Sequence, residues 1–402
     1  MPIQNHQSRP KEINQYRIFD PFSNLYKKWF WVYSILLVIS VIWPFDFFSE
    51  NRVQWLQETN GIEFTGNGIV MTSVPPLDLY EKLTTGQGLT IELWLETADI
   101  GQKGPARIVS YSLNPGSRNF TLGQEKNALI VRLRTTETDM NGVRPHLVVE
   151  NVFNKRNDLL HIVVTYDWTK QIVFVNGIMC MAKSIPGGTF SNWDPTHYLI
   201  LGNEGTCNRP WRGKLRHISF YNRPLDAEEV YSLFHKNEIS RLNTLDKRKP
   251  NRNGIITEYR FSEGNGNSIH GAKDSEIALD FLIPKYARPY TAPFLRWPSD
   301  NLVYTLNHRD TLLNVLGFIL FGFLGHGMMR NTYFLSWRIS IFVLITGICL
   351  SFFFESMQYF SVKRDSSAID FCANSIGTVL GIYIDWAYIR HVKQFWEKNT
   401  NI

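Results

Sequence analysis

The chain has 402 residues and a formal net charge of +6, long enough for two or three domains of ordinary size. No basic stripe accompanies a nucleic-acid-binding motif, which argues against nucleic acid as a partner. Apolar runs with little charge gather at residues 29–48 and between 311 and 389, while the middle is polar and rich in Gly, Asn and Thr. That segregation predicts an integral membrane protein with a large water-soluble insert.

Residues 1–28 carry Arg9, Lys11, Arg17, Lys27 and Lys28 against Glu12 and Asp20, a basic flank expected to stay in the cytoplasm. Residues 29–48 follow as the first transmembrane helix, with Trp and Tyr at its ends as interface anchors. No small-x-small cleavage pattern closes it, so it reads as a retained anchor that carries the following residues outside.

From about residue 53 to residue 284, short alternating runs bounded by Gly, Asn and Pro predict an all-β sandwich. Leu89–Leu95, Asn127–Leu133, His161–Tyr166, Gln171–Val175 with its Asn176-Gly177 turn, and Leu215–Tyr221 are predicted strands, with one helix at Asp226–Phe234. Cys180 and Cys207 lie in this insert and form a candidate disulfide if it faces an oxidising compartment. Cys349 and Cys372 fall in apolar helices and read as small hydrophobes.

In order along the insert come Gly61-Ile-Glu-Phe-Thr-Gly66, Leu89-Thr-Ile-Glu-Leu-Trp94, His161-Ile-Val-Val-Thr-Tyr166, Val173-Phe-Val-Asn-Gly177, Trp211-Arg-Gly213 and Ile218 to Asp226. They resemble the successive strands of a laminin-G/concanavalin-like jelly roll. The resemblance implies glycan binding, and sugar sites favour exposed aromatic rings beside amides and carboxylates. Trp168, Trp193 and Trp211 are therefore the glycan-binding candidates, with Asn192, Asp194 and Asn203 nearby in sequence. No cofactor and no metal ligand set is expected, although calcium occurs in such folds. Glu258-Tyr-Arg-Phe-Ser-Glu-Gly264 resembles the strand that ordinarily opens these domains, yet it follows the last helix. The roll is therefore read as circularly permuted, which requires residues 255–285 to pair inside the sandwich.

Residues 236–254 read as a charged connector, and residues 285–309, rich in Pro and aromatics, as an interfacial segment returning to the bilayer. Transmembrane helices are expected at about 311–329, 334–354 and 369–389, followed by a cytoplasmic tail at 390–402. Arg330, Arg338, Arg390, Lys393 and Lys398 then share the side of the N-terminus. Four crossings, both termini cytoplasmic and the jelly roll extracytoplasmic, form the consistent topology.

This topology gathers Asp310, Asn314, Glu355, Gln358, Arg364, Asp370 and Asn374 at the outer boundary, with no comparable cluster expected at the other end. Asp310-x-x-x-Asn314-x-x-Gly317 recurs as Asp370-x-x-x-Asn374-x-x-Gly377, and residues three and four apart share a helix face. Either Asp can cap its helix, and either Asn can glue helices together. Glu355 lies near a helix end that disfavours negative charge, with Arg364 as its available partner. In a site reading Glu355 and Asp370, with Asp310, supply acid/base work, while Asn314, Gln358, Arg364 and Asn374 bind ligand. Gly317, Gly322, Gly377 and Gly381 are expected at close helix contacts. No serine stands in a nucleophile motif, no His spacing suits a metal, and His308 reads as incidental.

These motifs, together with Trp43-Pro44-Phe45 and Phe354-Glu355-Ser-Met-Gln358, resemble the VanZ-like membrane family, named for a teicoplanin-resistance protein. The resemblance implies a bacterial cytoplasmic-membrane protein, with the jelly roll inserted between its first and second helices. Carboxylates, amides and an arginine converging at the outer boundary suit an amphiphile's head group, so the expected role is antibiotic-resistance-like or envelope biogenesis, with the polar cluster recognising or processing a lipid-linked glycan or similar envelope amphiphile. In the alternative, a non-catalytic anchored adhesin or assembly factor, the same cluster only packs helices.

Overall fold

A computed structural model describes residues 23–43, 47–242, 253–297, 308–329, 336–362, 364 and 366–400. The basic flank up to residue 22, Pro44-Phe45, most of the expected connector and Arg330 lie outside the described residues. The chain divides into two compact units, a helical one (Met1–Phe45, Phe294–Gln358, Ser366–Ile402) and a β one (Asp46–Pro293, Tyr359–Asp365).

The β unit is a sandwich of two sheets. Its strands are β1 (Val53–Trp55), β2 (Ile62–Phe64), β3 (Val70–Thr72), β4 (Leu89–Thr97), β5 (Ala106–Asn114), β6 (Ser117–Glu125), β7 (Ala128–Leu133) and β8 (Leu147–Val149). Then follow β9 (Leu159–Tyr166), β10 (Lys170–Val175), β11 (Ile178–Ser184), β12 (Tyr198–Leu201), β13 (Gly213–Tyr221), β14 (Ile255–Tyr259), β15 (Ser268–Ile269) and β16 (Phe281–Leu282). One sheet runs β1-β2-β13-β4-β9-β10-β11 with β14 on β13, and the other runs β15-β16-β3-β12-β5-β6-β7-β8. The β14 strand pairs antiparallel with β13, Ile218 opposite Tyr259, and β16 pairs with β3. Residues 255–282 thus complete both sheets, as the permuted reading requires. The β unit also extends past residue 284. Ala287 is fully buried and its N–H donates to Ser49 O, and residues up to Pro293 belong to this unit.

Period-2 alternation places Leu89, Ile91, Leu93 and Leu95 of β4 in the core between the sheets. Helix α2 (Leu77–Thr85) packs Leu79 and Leu83 into this same core, while α3 (Ala227–Leu242) covers the opposite face of the sheet, laying Val230 against Val163, Phe174 and Tyr221. A reciprocal capping box starts α3, because Glu229 N–H donates to Asp226 Oδ1 at 2.8 Å and Asp226 N–H donates to Glu229 Oε2 at 3.1 Å. The helix continues beyond Phe234, into residues whose sequence reads as a connector.

Burial under α3 encloses charge. Glu92 accepts from Tyr221 Oη at 2.9 Å and pairs with His161 Nε2 at 3.2 Å. Burial alone would raise its carboxyl, but the His161 hydrogen bond, the charges of His217 and His161 and the Tyr221 hydroxyl hold it at about 2.

The helical unit contains α1 (Ser23–Ile42), α4 (His308–Met329), α5 (Ser336–Tyr359) and α6 (Ala368–Thr400). Among the described residues three helices are long and apolar enough to cross a membrane, spanning Asn24–Ile42, Arg309–Met329 and Trp337–Tyr359. The α6 helix does not reach that mark and continues through the expected tail. Phe30, Phe318, Phe321 and Phe354 join α1, α4 and α5, and Tyr33 Oη donates to Gly317 O at 2.6 Å. Glycines let α4 and α6 meet backbone to backbone. A Cβ at Gly377 would collide with the Val315 carbonyl, and one at Gly381 with that of Ile319.

The expected Cys180–Cys207 disulfide is absent, since both thiols are free. Cys180 stands exposed on β11, whereas Cys207 is buried and donates to Arg288 O at 2.8 Å. Desolvation pushes the Cys207 thiol up to about 12. In the native protein, maleimide should therefore modify Cys180 and spare Cys207, with reducing agent leaving the melting temperature unchanged; peptide mapping reads the first and calorimetry the second. The Glu92 carboxyl lies below its ordinary value of 4.5, so its stabilisation is complete above that pH and is lost as pH falls towards about 2. Glu92→Gln should remove about 2 kcal/mol of the stability lost between neutral pH and pH about 3, measured as a shallower fall in the urea midpoint over that range.

Candidate functional sites

Two loops and one short extended segment of the sandwich enclose an open cleft of about 830 Å³, lined by Glu50, Arg52, Asn67, Asn208, Pro210 and Arg212 among others. Its frame is rigid. Asn51 Nδ2 donates to both Ile69 O and Pro284 O at 2.7 Å, fixing the segment that carries Glu50 and Arg52. On the facing loop Asn203 Oδ1 accepts from the N–H groups of Glu204 at 2.9 Å and Arg209 at 3.0 Å. Below that loop the buried Glu204 carboxylate pairs with Arg107 at 3.1 Å and accepts from the Ser112 hydroxyl. The Arg212 N–H donates to Gln102 Oε1 at 2.8 Å, which pins the backbone while the side chain stays exposed. Two guanidinium groups, two amides and one carboxylate thus line the cleft from a fixed frame.

The tryptophans expected to stack on sugar serve the interior instead. Trp193 is 4% exposed with its Nε1–H on Arg134 O at 2.6 Å, and Trp211 is 0% exposed with its Nε1–H on Gln124 Oε1 at 3.0 Å. Trp168 is half-buried, edge-on to Phe190 at 4.8 Å. An indole N–H that finds a buried acceptor turns its ring inward, which corrects the stacking role for Trp193 and Trp211. Asn192 and Asn203 likewise bond to backbone. Among the described residues no group of three or more His, Cys, Asp or Glu could hold a metal ion.

In the helical unit the expected acidic cluster assembles in part. Asn314 hydrogen-bonds the Asp370 carboxylate, and Asp310 and Glu355 lie close enough to interact with Asp370 electrostatically. Asp370 does not cap its helix. Ser367 takes that place, its Oγ accepting from Asp370 N–H at 3.3 Å. Glu355 is 1% exposed and its Oε2 accepts from Ser367 N–H at 2.7 Å, with a further hydrogen bond from Ser366. The compensation expected from Arg364 is thus met by the N–H of Ser367 and the hydroxyl of Ser366, while Arg364 is exposed in the β unit. Gln358 is half-buried in the last turn of α5. Asn374 is 4% exposed, donates to Ser351 Oγ at 3.0 Å, and keeps an unpaired Oδ1. Asp310 is exposed, and Asn314 and Asp370 are half-buried.

A second polar cluster lies towards the other end of α4 and α6, where none was expected. His326 bridges Asp385 at 2.6 Å and Ser340 at 3.1 Å, so α4, α6 and α5 contribute one residue each. The available signal was His326 and Asp385 themselves, ionisable residues inside apolar runs.

The family model described as concanavalin A-like lectin/glucanases superfamily matches residues 72–231, and the VanZ/LLP1 model matches residues 260–389. The second match begins inside the β unit, directly after β14. None of the curated proteins matches the chain. Similar solved structures include the CBM40 of the Ruminococcus gnavus IT-sialidase, at 17% identity over 44% of this chain and 97% of that one, TM-score 0.37. The binding domain of botulinum neurotoxin DC is 14% identical over 46% of this chain and 45% of that one, TM-score 0.37. A botulinum neurotoxin serotype D/C binding domain is 13% identical over 46% of each, TM-score 0.35. This chain spans about half the length of these neurotoxin chains. By the two family models, residues 72–231 are similar to the concanavalin A-like superfamily and residues 260–389 to VanZ/LLP1.

Proposed function

We propose that the chain is a bacterial envelope protein that holds an anionic glycan in the sandwich cleft and is anchored by its helical unit. The observation that carries this reading is the cleft itself, about 830 Å³ with Arg52 and Arg212 exposed beside Asn67 and Asn208. That volume suits one or two sugar rings. Guanidinium groups engage carboxylate or sulfate in bidentate fashion, and amides pair with hydroxyls. The match of the β unit to a lectin-containing superfamily supports the same reading. In this account four helices cross the cytoplasmic membrane, both termini are cytoplasmic, and the sandwich projects outside.

For the helical unit, the closed hydrogen bonding of Glu355 favours a packing role, as in an anchored adhesin or assembly factor. The exposure of Asp310 favours a narrower ligand role at the acidic cluster. There Asp310, Asn314 and Asp370 would meet the polar head of a lipid-linked amphiphile, without Glu355 as acid or base.

Arg52→Ala and Arg212→Ala should each weaken binding of an acidic polysaccharide at least tenfold, since a hydrogen bond to a charged group contributes about 1.5–3 kcal/mol. Titration calorimetry on the detergent-solubilised full chain, with a neutral polysaccharide alongside, checks this. Equal affinity for both polymers in all variants would refute the assignment of the cleft.

A further inference from the structure

His326, Asp385 and Ser340 have no part in the reading above. His326 is 3% exposed and Asp385 0%, while Ser340 is half-buried. His326 Nδ1 stands 2.6 Å from Asp385 Oδ2, and its Nε2 stands 3.1 Å from Ser340 Oγ. An ionised carboxylate can only accept, so Nδ1 carries the ring proton and Nε2 presents a lone pair to the serine hydroxyl. Orienter, base and hydroxyl therefore stand in line, each within hydrogen-bond reach of the next. Such a constellation is recognised by geometry and roles, whatever the order of its members along the chain.

The surroundings indicate the substrate class. Ser340 lies one turn inside α5, which starts at Ser336. Trp337, 56% exposed, has the Arg338 guanidinium over its ring at 5.3 Å, an amphipathic pair suited to a lipid–water boundary. Ile341, 46% exposed, extends the apolar surface beside Ser340. A group one turn below such a boundary stands at the depth where the ester carbonyls of membrane amphiphiles lie, between head group and hydrocarbon.

We propose that Ser340, His326 and Asp385 form an acyl-transfer site for carboxylic esters of a membrane amphiphile. Ser340 Oγ bonds to the acyl carbon while its proton passes to His326 Nε2. Asp385, a positioning residue, keeps Nδ1 protonated and balances the imidazolium. The ester C–O bond breaks, the leaving alkoxide takes the proton from Nε2, and the acyl group remains on Ser340. Water, giving its proton to the same nitrogen, cleaves the acyl-serine ester, releases a carboxylic acid and restores the hydroxyl. Amide groups in the first turn of α5 lack intrahelical acceptors and supply donors for the anionic oxygen.

The test treats the full-length chain in phosphatidylcholine vesicles with a long-chain fluorophosphonate and maps the adduct by mass spectrometry. The expected result is phosphonylation of Ser340 in the wild type and none at that position in Ser340→Ala. In His326→Gln the reaction should slow by about 100-fold or more, the usual contribution of a general base. Asp385→Asn should slow the labelling while Asp385→Glu, which keeps a carboxylate for Nδ1, restores it; a merely structural role would not distinguish the two variants in this way. Circular dichroism and monodisperse elution confirm that the variants compared are folded. Absence of a Ser340 adduct in the wild type, or an equal rate in folded His326→Gln, overturns the proposal.

Discussion

The contact between α4 and α6 is the constraint on which the helical unit depends. Gly377 meets the Val315 carbonyl, Gly381 that of Ile319, and Gly322 the Thr378 carbonyl, leaving no room for a side chain at any of the three. Two helix backbones approach this closely only where small residues line the seam. The contacts fix a parallel register, in which the two Asp-x-x-x-Asn copies begin at the same end and Asn314 reaches Asp370. Further along, the same register brings Asp385 to His326. A slip of one turn would separate both pairs and leave buried polar groups unsatisfied, each costing about 1–3 kcal/mol. Helix packing and the placement of polar chemistry are therefore one problem here.

In the sandwich, support and exposure are divided between residues. Arg107 and Glu204 sit fully buried beneath the cleft, and removing one partner of such a pair typically costs about 3–5 kcal/mol because it leaves a buried charge uncompensated. Their role is to hold a loop whose outward side presents Asn208 and Arg212. Trp211 belongs to the same foundation, with its ring 5.9 Å from that of Phe64 under the cleft. Aromatic residues thus shape the proposed glycan site from below, while charged and amide groups form its surface.

Much of this was legible in the chain. Alternation in Leu89–Leu95 and His161–Tyr166 marks strands because one side of each faces the core, and the displaced strand at Glu258 pairs inside the sandwich as its sequence implies. The glycine seam was legible too, since glycine inside an apolar helix needs a reason. What stayed hidden depends on side-chain direction and on partners distant in sequence. Nothing local to Trp193 or Trp211 reveals that a buried acceptor waits for the indole N–H, and the spacing of Cys180 and Cys207 carries no distance. The Ser367-Ala-Ile-Asp370 pattern is a readable helix start, but its serine, not its aspartate, makes the cap. Ser340, His326 and Asp385 come from three helices, so no linear motif announces them.

The central claim is that the sandwich and its cleft lie outside a membrane that the helices cross. The exposed thiol of Cys180 allows a direct measurement in intact bacterial cells expressing the chain, using a membrane-impermeant maleimide followed by peptide mapping. The account predicts that Cys180 is modified before any permeabilisation. Modification of Cys180 only after the membrane is opened would put the sandwich inside and contradict it.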